Sequence, residues 1–192
     1  MTDRNRRRLL GGMALSAATL LMGRTMMTDA QAATGETAPP WTFDSIYGGK
    51  YNSSQFAGKP ILLVNTASLC GYTPQYTALQ LLYDTCKDQG LVVFAVPSDD
   101  FHQEKKTNGE VMTFCELNYG ITLPMATISA VTGPEATPLY AWIKKTSGFA
   151  PRWNFNKVLF DRHGRIVGTY GSGDAPMGGA IEEAVKQTLS QR

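Results

Sequence analysis

Apolar residues form two alternating patterns along the chain, short continuous runs and stripes at helical spacing. The continuous runs at residues 61–65 and 91–96 predict strands that are covered on both faces. Between them, residues 74–89 predict a helix, with proline in its first turn and Gly90 after its end. These features predict a strand, a helix and a second strand in that order.

Further elements lie on both sides of this unit. Residues 41–56, with Gly48 and Gly49 at the turn, predict a hairpin. The later part of the chain predicts a helix capped by Asn108 and ending at Gly120, a strand at 127–131, a helix at 138–145, hairpin strands at 158–161 and 165–170, and an amphipathic helix at 180–189. This order is thioredoxin-like. We therefore expect an α/β fold with a mixed central β-sheet flanked by helices and an N-terminal β-hairpin.

Residues 1–32 have a different character from the rest. Arginines at 6–8 precede an apolar run at 9–22, and the small-residue triplet Ala30-Gln31-Ala32 follows. A charged start, a short apolar stretch and a cleavage site are typical of an export signal peptide. Paired arginines before Leu-Leu fit the twin-arginine type, with a Sec signal as the alternative. Either route predicts that the protein is periplasmic.

A membrane anchor is disfavoured, because Arg24 interrupts the apolar run and a span needs about 20 apolar residues. We expect no stable membrane association after signal cleavage, a flexible lead-in at 33–40 and a single domain at 41–192. Removing residues 1–32 takes away five Arg and two Asp, so 18 basic and 16 acidic residues become 13 and 14. The net charge falls from +2 to −1. No basic patch remains that would indicate nucleic-acid binding.

The three cysteines, at positions 70, 86 and 115, cannot all pair with one another. In an exported protein, an odd cysteine suggests a reactive thiol or a partner in another molecule. The spacings fit no short zinc motif, and His102 and His163 supply no paired ligands. We therefore expect no metal and no other bound cofactor.

Cys70 follows a predicted buried strand and precedes a predicted helix. Backbone N–H groups and the positive end of the helix dipole at that position favour a thiolate over a thiol. Gly71 lets the backbone come close to the sulfur. A thiolate at the end of a strand is placed for nucleophilic attack, and a buried inert cysteine that packs the junction is the alternative.

Two separated motifs resemble those of the glutathione peroxidase family. Val64-Asn-Thr-Ala-Ser-Leu-Cys-Gly-Tyr-Thr-Pro-Gln-Tyr76 resembles the signature around that family's selenocysteine or cysteine nucleophile. Arg152-Trp-Asn-Phe-Asn-Lys157 resembles its second signature, and the resemblance spans residues 41–171. It implies a thiol-dependent peroxidase that reduces hydrogen peroxide or organic hydroperoxides through a sulfenic acid at Cys70, in defence against oxidative stress.

The resemblance further implies that Trp153 and Asn154 lie beside the sulfur. Their N–H groups could donate to the thiolate and to the peroxide oxygens, which would stabilise the leaving alkoxide. Their alternative roles are a core aromatic side chain and a turn former. Lys157, in the same motif, is expected to be a surface charge rather than a catalytic group.

A third motif departs from the family pattern Phe-Pro-Cys-Asn-Gln-Phe, whose Gln the resemblance assigns to the active site. Here the stretch is Val96-Pro-Ser-Asp-Asp-Phe101, which puts Asp100 at the position of that Gln. The Gly-Gly-Gln-Glu-Pro that follows in the family is His102-Gln-Glu-Lys-Lys106 here. An ionised Asp100 would repel a thiolate, whereas a neutral one could donate to it. Both cases stay open, and Asp100 is a candidate catalytic residue.

Attack on peroxide leaves Cys70 as a sulfenic acid, which another thiol must reduce. In thioredoxin-dependent members of the family, the resemblance implies a resolving cysteine at the position that Glu116 occupies here, one residue past Cys115. In some bacterial members it implies one at the position of Ser98. Cys115 is therefore the candidate resolving cysteine, although its apolar stripe favours a buried structural thiol. We predict that an external thiol, a thioredoxin-like protein or glutathione, reduces Cys70.

Other activities stay open at this point. A thiol–disulfide oxidoreductase of the same fold would carry Cys-x-x-Cys, but position 73 is Thr. A periplasmic thiol redox sensor with little peroxidase turnover is the alternative from another class, favoured by the residues at 100 and 116. The segment at 146–152 is shorter than in oligomeric family members, which predicts a monomer.

Overall fold

The computed structural model describes residues 35–191, and the predicted export signal lies outside that range. The first element is a hairpin in which β1 (Thr42–Asp44) pairs antiparallel with β2 (Lys50–Asn52). Gly48 and Gly49 make its turn with φ angles of 97° and 76°, which glycine adopts without strain. The hairpin is as predicted, except that its second arm ends early in a short 3-10 helix, Ser53–Phe56.

The central sheet has four strands in the order β4-β3-β5-β6. Their bounds are β3 Ile61–Thr66, β4 Val92–Pro97, β5 Lys157–Phe160 and β6 Ile166–Tyr170. β3 and β4 are parallel, whereas β5 pairs antiparallel with both β3 and β6. The sheet is therefore mixed, as the sequence predicts.

In the part of the chain that the structure describes, four α-helices accompany the sheet: α1 Gln75–Cys86, α2 Asn108–Tyr119, α3 Pro138–Ser147 and α4 Ala180–Ser190. The predicted cap of α2 is off by one residue. Thr107 is the cap, since its side chain accepts from the Glu110 N–H at 3.2 Å and the Glu110 carboxylate accepts from the Thr107 N–H at 2.9 Å. The Asn108 side chain instead accepts from the Ile128 N–H at 2.8 Å.

The predicted strand at 127–131 does not form. Its backbone bonds to two different elements, because the Thr127 N–H donates to the carbonyl of Asp44 and the Ser129 N–H donates to that of Pro97, each at 2.8 Å. A strand needs successive bonds to one neighbour, so a segment that divides its bonds in this way stays irregular.

Two apolar cores lie on opposite faces of the sheet. Alternation along β3 is clear, since Leu62 and Val64 enter one core and Leu63 the other. The first core includes side chains of α1, α2 and α4, and the second includes those of α3 and the hairpin. Helices therefore cover both faces, as predicted. Within residues 35–191, none of the helices has the length and apolar character needed to cross a membrane.

Candidate active site

Cys70 lies in the loop that joins β3 to α1, and its side chain is only 7% exposed. Thr73 fixes this loop, because its hydroxyl accepts from the Cys70 N–H at 3.0 Å and donates to the Ala67 carbonyl at 2.9 Å. The N–H of Tyr72 donates to the Cys70 sulfur at 3.4 Å. A backbone donor in this place stabilises negative charge on the sulfur, as the sequence predicts for a helix N-terminus.

A second loop, residues 98–107 after β4, is fastened to the Cys70 loop by two backbone donors. The Leu69 N–H donates to the Gln103 carbonyl at 2.9 Å, and the Ser68 N–H donates to Glu104 Oε1 at 3.0 Å. Glu104 is buried, and desolvation raises the pKa of its carboxyl group. Residues 103 and 104 are thus held next to the segment that carries the nucleophile.

The third loop, which leads into β5, carries Trp153 and Asn154. Asn65 of β3 binds it on both sides, since its amide donates to the Trp153 carbonyl and accepts from the Asn156 N–H, each at 3.0 Å. Phe155, with φ at 60°, turns the chain in the left-handed region and donates its N–H to the Asn65 carbonyl at 2.6 Å. The sequence placed Asn65 inside a buried strand and did not predict its role. A polar amide within an apolar run was the signal that could have indicated one.

The side chains of the second and third loops meet. Asn154 is fully buried, and its Nδ2 donates to Gln103 Oε1 at 3.0 Å. The Trp153 ring lies 5.5 Å from that of Phe101, centroid to centroid, and remains 40% exposed. Because β5 is antiparallel to β3, the start of β5 lies at the end of β3 that leads to Cys70. Both predicted donors therefore lie at the same end of the sheet as the cysteine.

Comparison with known proteins agrees with this geometry. The glutathione peroxidase family model matches residues 41–144. A glutathione peroxidase of Lactococcus lactis is 40% identical over 147 residues, which cover 74% of this chain and 92% of the Lactococcus protein. The chain belongs to the glutathione peroxidase family.

Further relatives of this peroxidase agree with that assignment. A hydroperoxy fatty acid reductase of Synechocystis is 40% identical over 148 residues, which cover 67% of this chain and 88% of that protein. The crystal structure of Trgpx in its apo form superimposes with a TM-score of 0.63 at 28% identity, and the match covers 79% of this chain and 94% of that chain. The protein is thus a thiol-dependent peroxidase, an oxidoreductase with a thioredoxin-like fold.

In this peroxidase the Asp100 carboxylate is bound by the backbone at residues 131–132. Its Oδ2 atom accepts from the N–H groups of Val131 and Thr132, at 2.7 and 2.9 Å, so the carboxylate stabilises a neighbouring loop. The side-chain amide beside Asn154 belongs to Gln103. The sequence signal was present: the Gln-Glu pair of the family motif persists at Gln103-Glu104, after a loop shortened by one residue. Gln103 is therefore a further candidate catalytic residue, and the role predicted for Asp100 stays a prediction.

The three cysteines of the peroxidase are free, and Cys115 is fully buried in α2. Burial raises the pKa of Cys115 to about 11, partly offset by a hydrogen bond with Tyr76. The thiol is therefore protonated at neutral pH, whereas the nucleophile in thiol exchange is the thiolate. This surrounding favours the structural interpretation of Cys115 over the resolving one.

The expectation that Lys157 is a surface charge is wrong. Its side chain is completely buried at the start of β5. Its Nζ atom donates to Gln75 Oε1 at 2.6 Å and to the Asp174 carbonyl at 2.7 Å. Burial lowers the pKa of Lys157 to about 8, against the opposing effect of the Asp174 charge. Sequence alone could not separate this lysine from a solvated one, because its acceptors come from distant segments.

Proposed function

We propose that Cys70 is the peroxide-attacking thiolate of this peroxidase. The sulfur attacks one peroxide oxygen, so that an S–O bond forms as the O–O bond breaks. The leaving oxygen takes a proton and departs as an alcohol, or as water when the substrate is hydrogen peroxide. Sulfur is oxidised to a sulfenic acid and the peroxide is reduced, which balances the two electrons.

The observation that carries this proposal is the hydrogen bond between Asn154 and Gln103 beside the Cys70 loop. Because Gln103 accepts through its oxygen, its own NH₂ group is left to donate. This NH₂ group and the Trp153 indole N–H are the proposed donors to the leaving oxygen. Fixed donors directed at a developing negative charge typically contribute about 10²- to 10³-fold in rate.

Reduction of the sulfenic acid is proposed to come from an external thiol. That thiol attacks the Cys70 sulfur, forms a mixed disulfide and releases water, and a second thiol then restores Cys70 and leaves as a disulfide. A thioredoxin-like protein and glutathione are the candidate donors. The burial of Cys115 supports an external donor, because it keeps this thiol protonated at neutral pH. No bound cofactor takes part in this scheme.

Apolar hydroperoxides are the proposed substrates alongside hydrogen peroxide. Leu69 and Tyr72 flank Cys70 in the chain and are 56% and 39% exposed, and Trp153 is exposed as well. Exposed apolar side chains near a site favour apolar ligands. The Synechocystis relative is named for hydroperoxy fatty acids, which supports this substrate class.

The cellular setting is also a proposal. The arginine-led signal at residues 1–32 supports export to the periplasm by the twin-arginine route, where the enzyme would act as a monomer against oxidative stress. A fusion of residues 1–40 to a reporter tests this, since replacing the arginine pair at 7–8 with lysines should abolish periplasmic delivery. Delivery that continues unchanged would point to the Sec route.

The decisive experiment measures peroxide consumption by the mature enzyme with thioredoxin or glutathione as donor. Wild type should turn over repeatedly and form a dimedone adduct at Cys70, whereas Cys70→Ser should do neither. Cys86→Ser, at a buried cysteine of α1, is the matched control and should behave as wild type. Stoichiometric oxidation of Cys70 without turnover would favour the redox sensor.

A further inference from the structure

Lys157 lies where two parts of the site meet. It is the first residue of β5, and the loop with Trp153 and Asn154 directly precedes it. Its main acceptor, Gln75, is the first residue of α1, the helix that follows the Cys70 loop. A buried ammonium group therefore connects the nucleophile's helix with the strand that follows the donor loop.

A third segment, residues 171–174, completes the junction. Besides the Asp174 carbonyl, Lys157 has longer contacts of 3.5 and 3.4 Å to the carbonyls of Gly171 and Ser172. The Ser172 hydroxyl donates to the Asn154 carbonyl at 2.6 Å, and the Gln75 amide donates to the Ser172 carbonyl at 2.7 Å. The ammonium group, α1 and the backbone of Asn154 thus form one hydrogen-bonded chain.

The charge of Lys157 has no direct ion pair within residues 35–191. Asp174 is the charged group whose field acts on it, but the Asp174 carboxylate accepts from the Gly171 N–H at 2.6 Å. Gln75, from α1, offers a neutral amide oxygen. A buried charge held by neutral acceptors costs free energy, so the bonds to these acceptors decide whether the ammonium group stays charged.

We propose that Lys157 is a positioning residue of the peroxidase, whose ammonium group fixes the N-terminal turn of α1 against the loop that carries Asn154. The inference rests on the proposed role of Cys70. A charged lysine has three N–H donors for its four acceptors, and a neutral one has two. Loss of the proton therefore removes a donor and the charge that strengthens the others.

A pH profile separates positioning from plain structural support. Burial places the pKa of Lys157 near 8, so this ammonium group titrates where exposed lysines stay charged. The rate of Cys70 oxidation by hydrogen peroxide in a single turnover should therefore fall in wild type as the pH rises through about 8. Lys157→Gln, which keeps a neutral donor, should lose this descending limb and react about 10- to 100-fold more slowly at pH 7.

Two controls accompany the profile. Lys145→Met removes an exposed charge from α3 and should keep the wild-type rate and the wild-type limb. Ser172→Ala removes the bonds of the Ser172 hydroxyl to Asn154 and Asn156 without altering the lysine, and should slow oxidation while the descending limb persists. Thermal unfolding of each variant shows whether it is folded. If Lys157→Gln does not fold, the descending limb of the wild-type pH profile still tests the proposal.

Alkylation of Cys70 by iodoacetamide distinguishes this proposal from the peroxidase assignment, because it needs no peroxide. If wild type is alkylated but never oxidised, the role of Cys70 as the peroxidatic thiol fails. A slower alkylation of Lys157→Gln, without the fall in rate above a pH of about 8, would still support positioning. If Lys157→Gln matches wild type in both reactions at every pH, or if its descending limb persists, Lys157 has no positioning role.

Discussion

Replacement of Asn65 by leucine removes the Asn65 clamp, the two side-chain bonds that join β3 to the loop with Trp153 and Asn154. The branched shape and the number of heavy atoms in the side chain are kept. Two partners lose their bonds, the buried Asn156 N–H and the partly buried Trp153 carbonyl. A buried polar group left unpaired costs about 1–3 kcal/mol, and a group that water reaches costs less. We therefore expect Asn65→Leu to lower the free energy of unfolding by about 2–4 kcal/mol.

Urea denaturation measures this loss as a lower midpoint at an unchanged slope. Asn118→Leu is the matched control, because Asn118 is exposed and its side chain bonds to the Phe114 carbonyl of its own helix, at 2.8 Å. It should change stability by less than about 0.5 kcal/mol. Equal effects of the two substitutions would refute the clamp. Oxidation of Cys70 should also be slower in Asn65→Leu than in the control, since Trp153 and Asn154 lose their support.

Three further predictions use the same assays. Gln103→Ala should slow Cys70 oxidation about 10²- to 10³-fold, whereas Asp100→Ala should change it little; the reverse order would favour Asp100 as the catalytic residue. Glu104→Gln should keep the bond from the Ser68 N–H. Because the pKa of Glu104 is raised in the folded protein, wild-type stability falls as the pH rises above the ordinary pKa of a glutamate. The variant should lack that fall when urea midpoints are measured against pH. After peroxide treatment, Cys70 should reach the same oxidation state in Cys115→Ser as in wild type. If wild type forms a disulfide that the variant lacks, Cys115 is the resolving cysteine.

Patterns confined to one segment predicted the fold well. The buried runs of β3 and β4, the double glycine of the hairpin and Gly90 after α1 all act through neighbours in the chain. The position of Cys70 between a strand and a helix was predictable for the same reason. These features depend on local geometry, which short sequence windows encode.

Features that depend on distant partners were missed. The segment at 127–131 has strand-like composition, but its donors bond to both β1 and β4. The burial of Lys157 depends on carbonyls of residues 171–174, and the position of Gln103 depends on a loop one residue shorter than expected. In each case the deciding contact joins residues that no periodicity links.

The Asn65 clamp has a mechanical consequence. Strand β3 leads directly to Cys70, and Asn65 of the same strand binds the loop with Trp153 and Asn154. The cysteine and this loop are therefore both fixed to β3. When the sheet shifts against its helices, the nucleophile and these donors are displaced together and their spacing is conserved. The loop after β4, which carries Gln103, can therefore lose a residue without changing the spacing between Cys70 and the loop with Trp153 and Asn154.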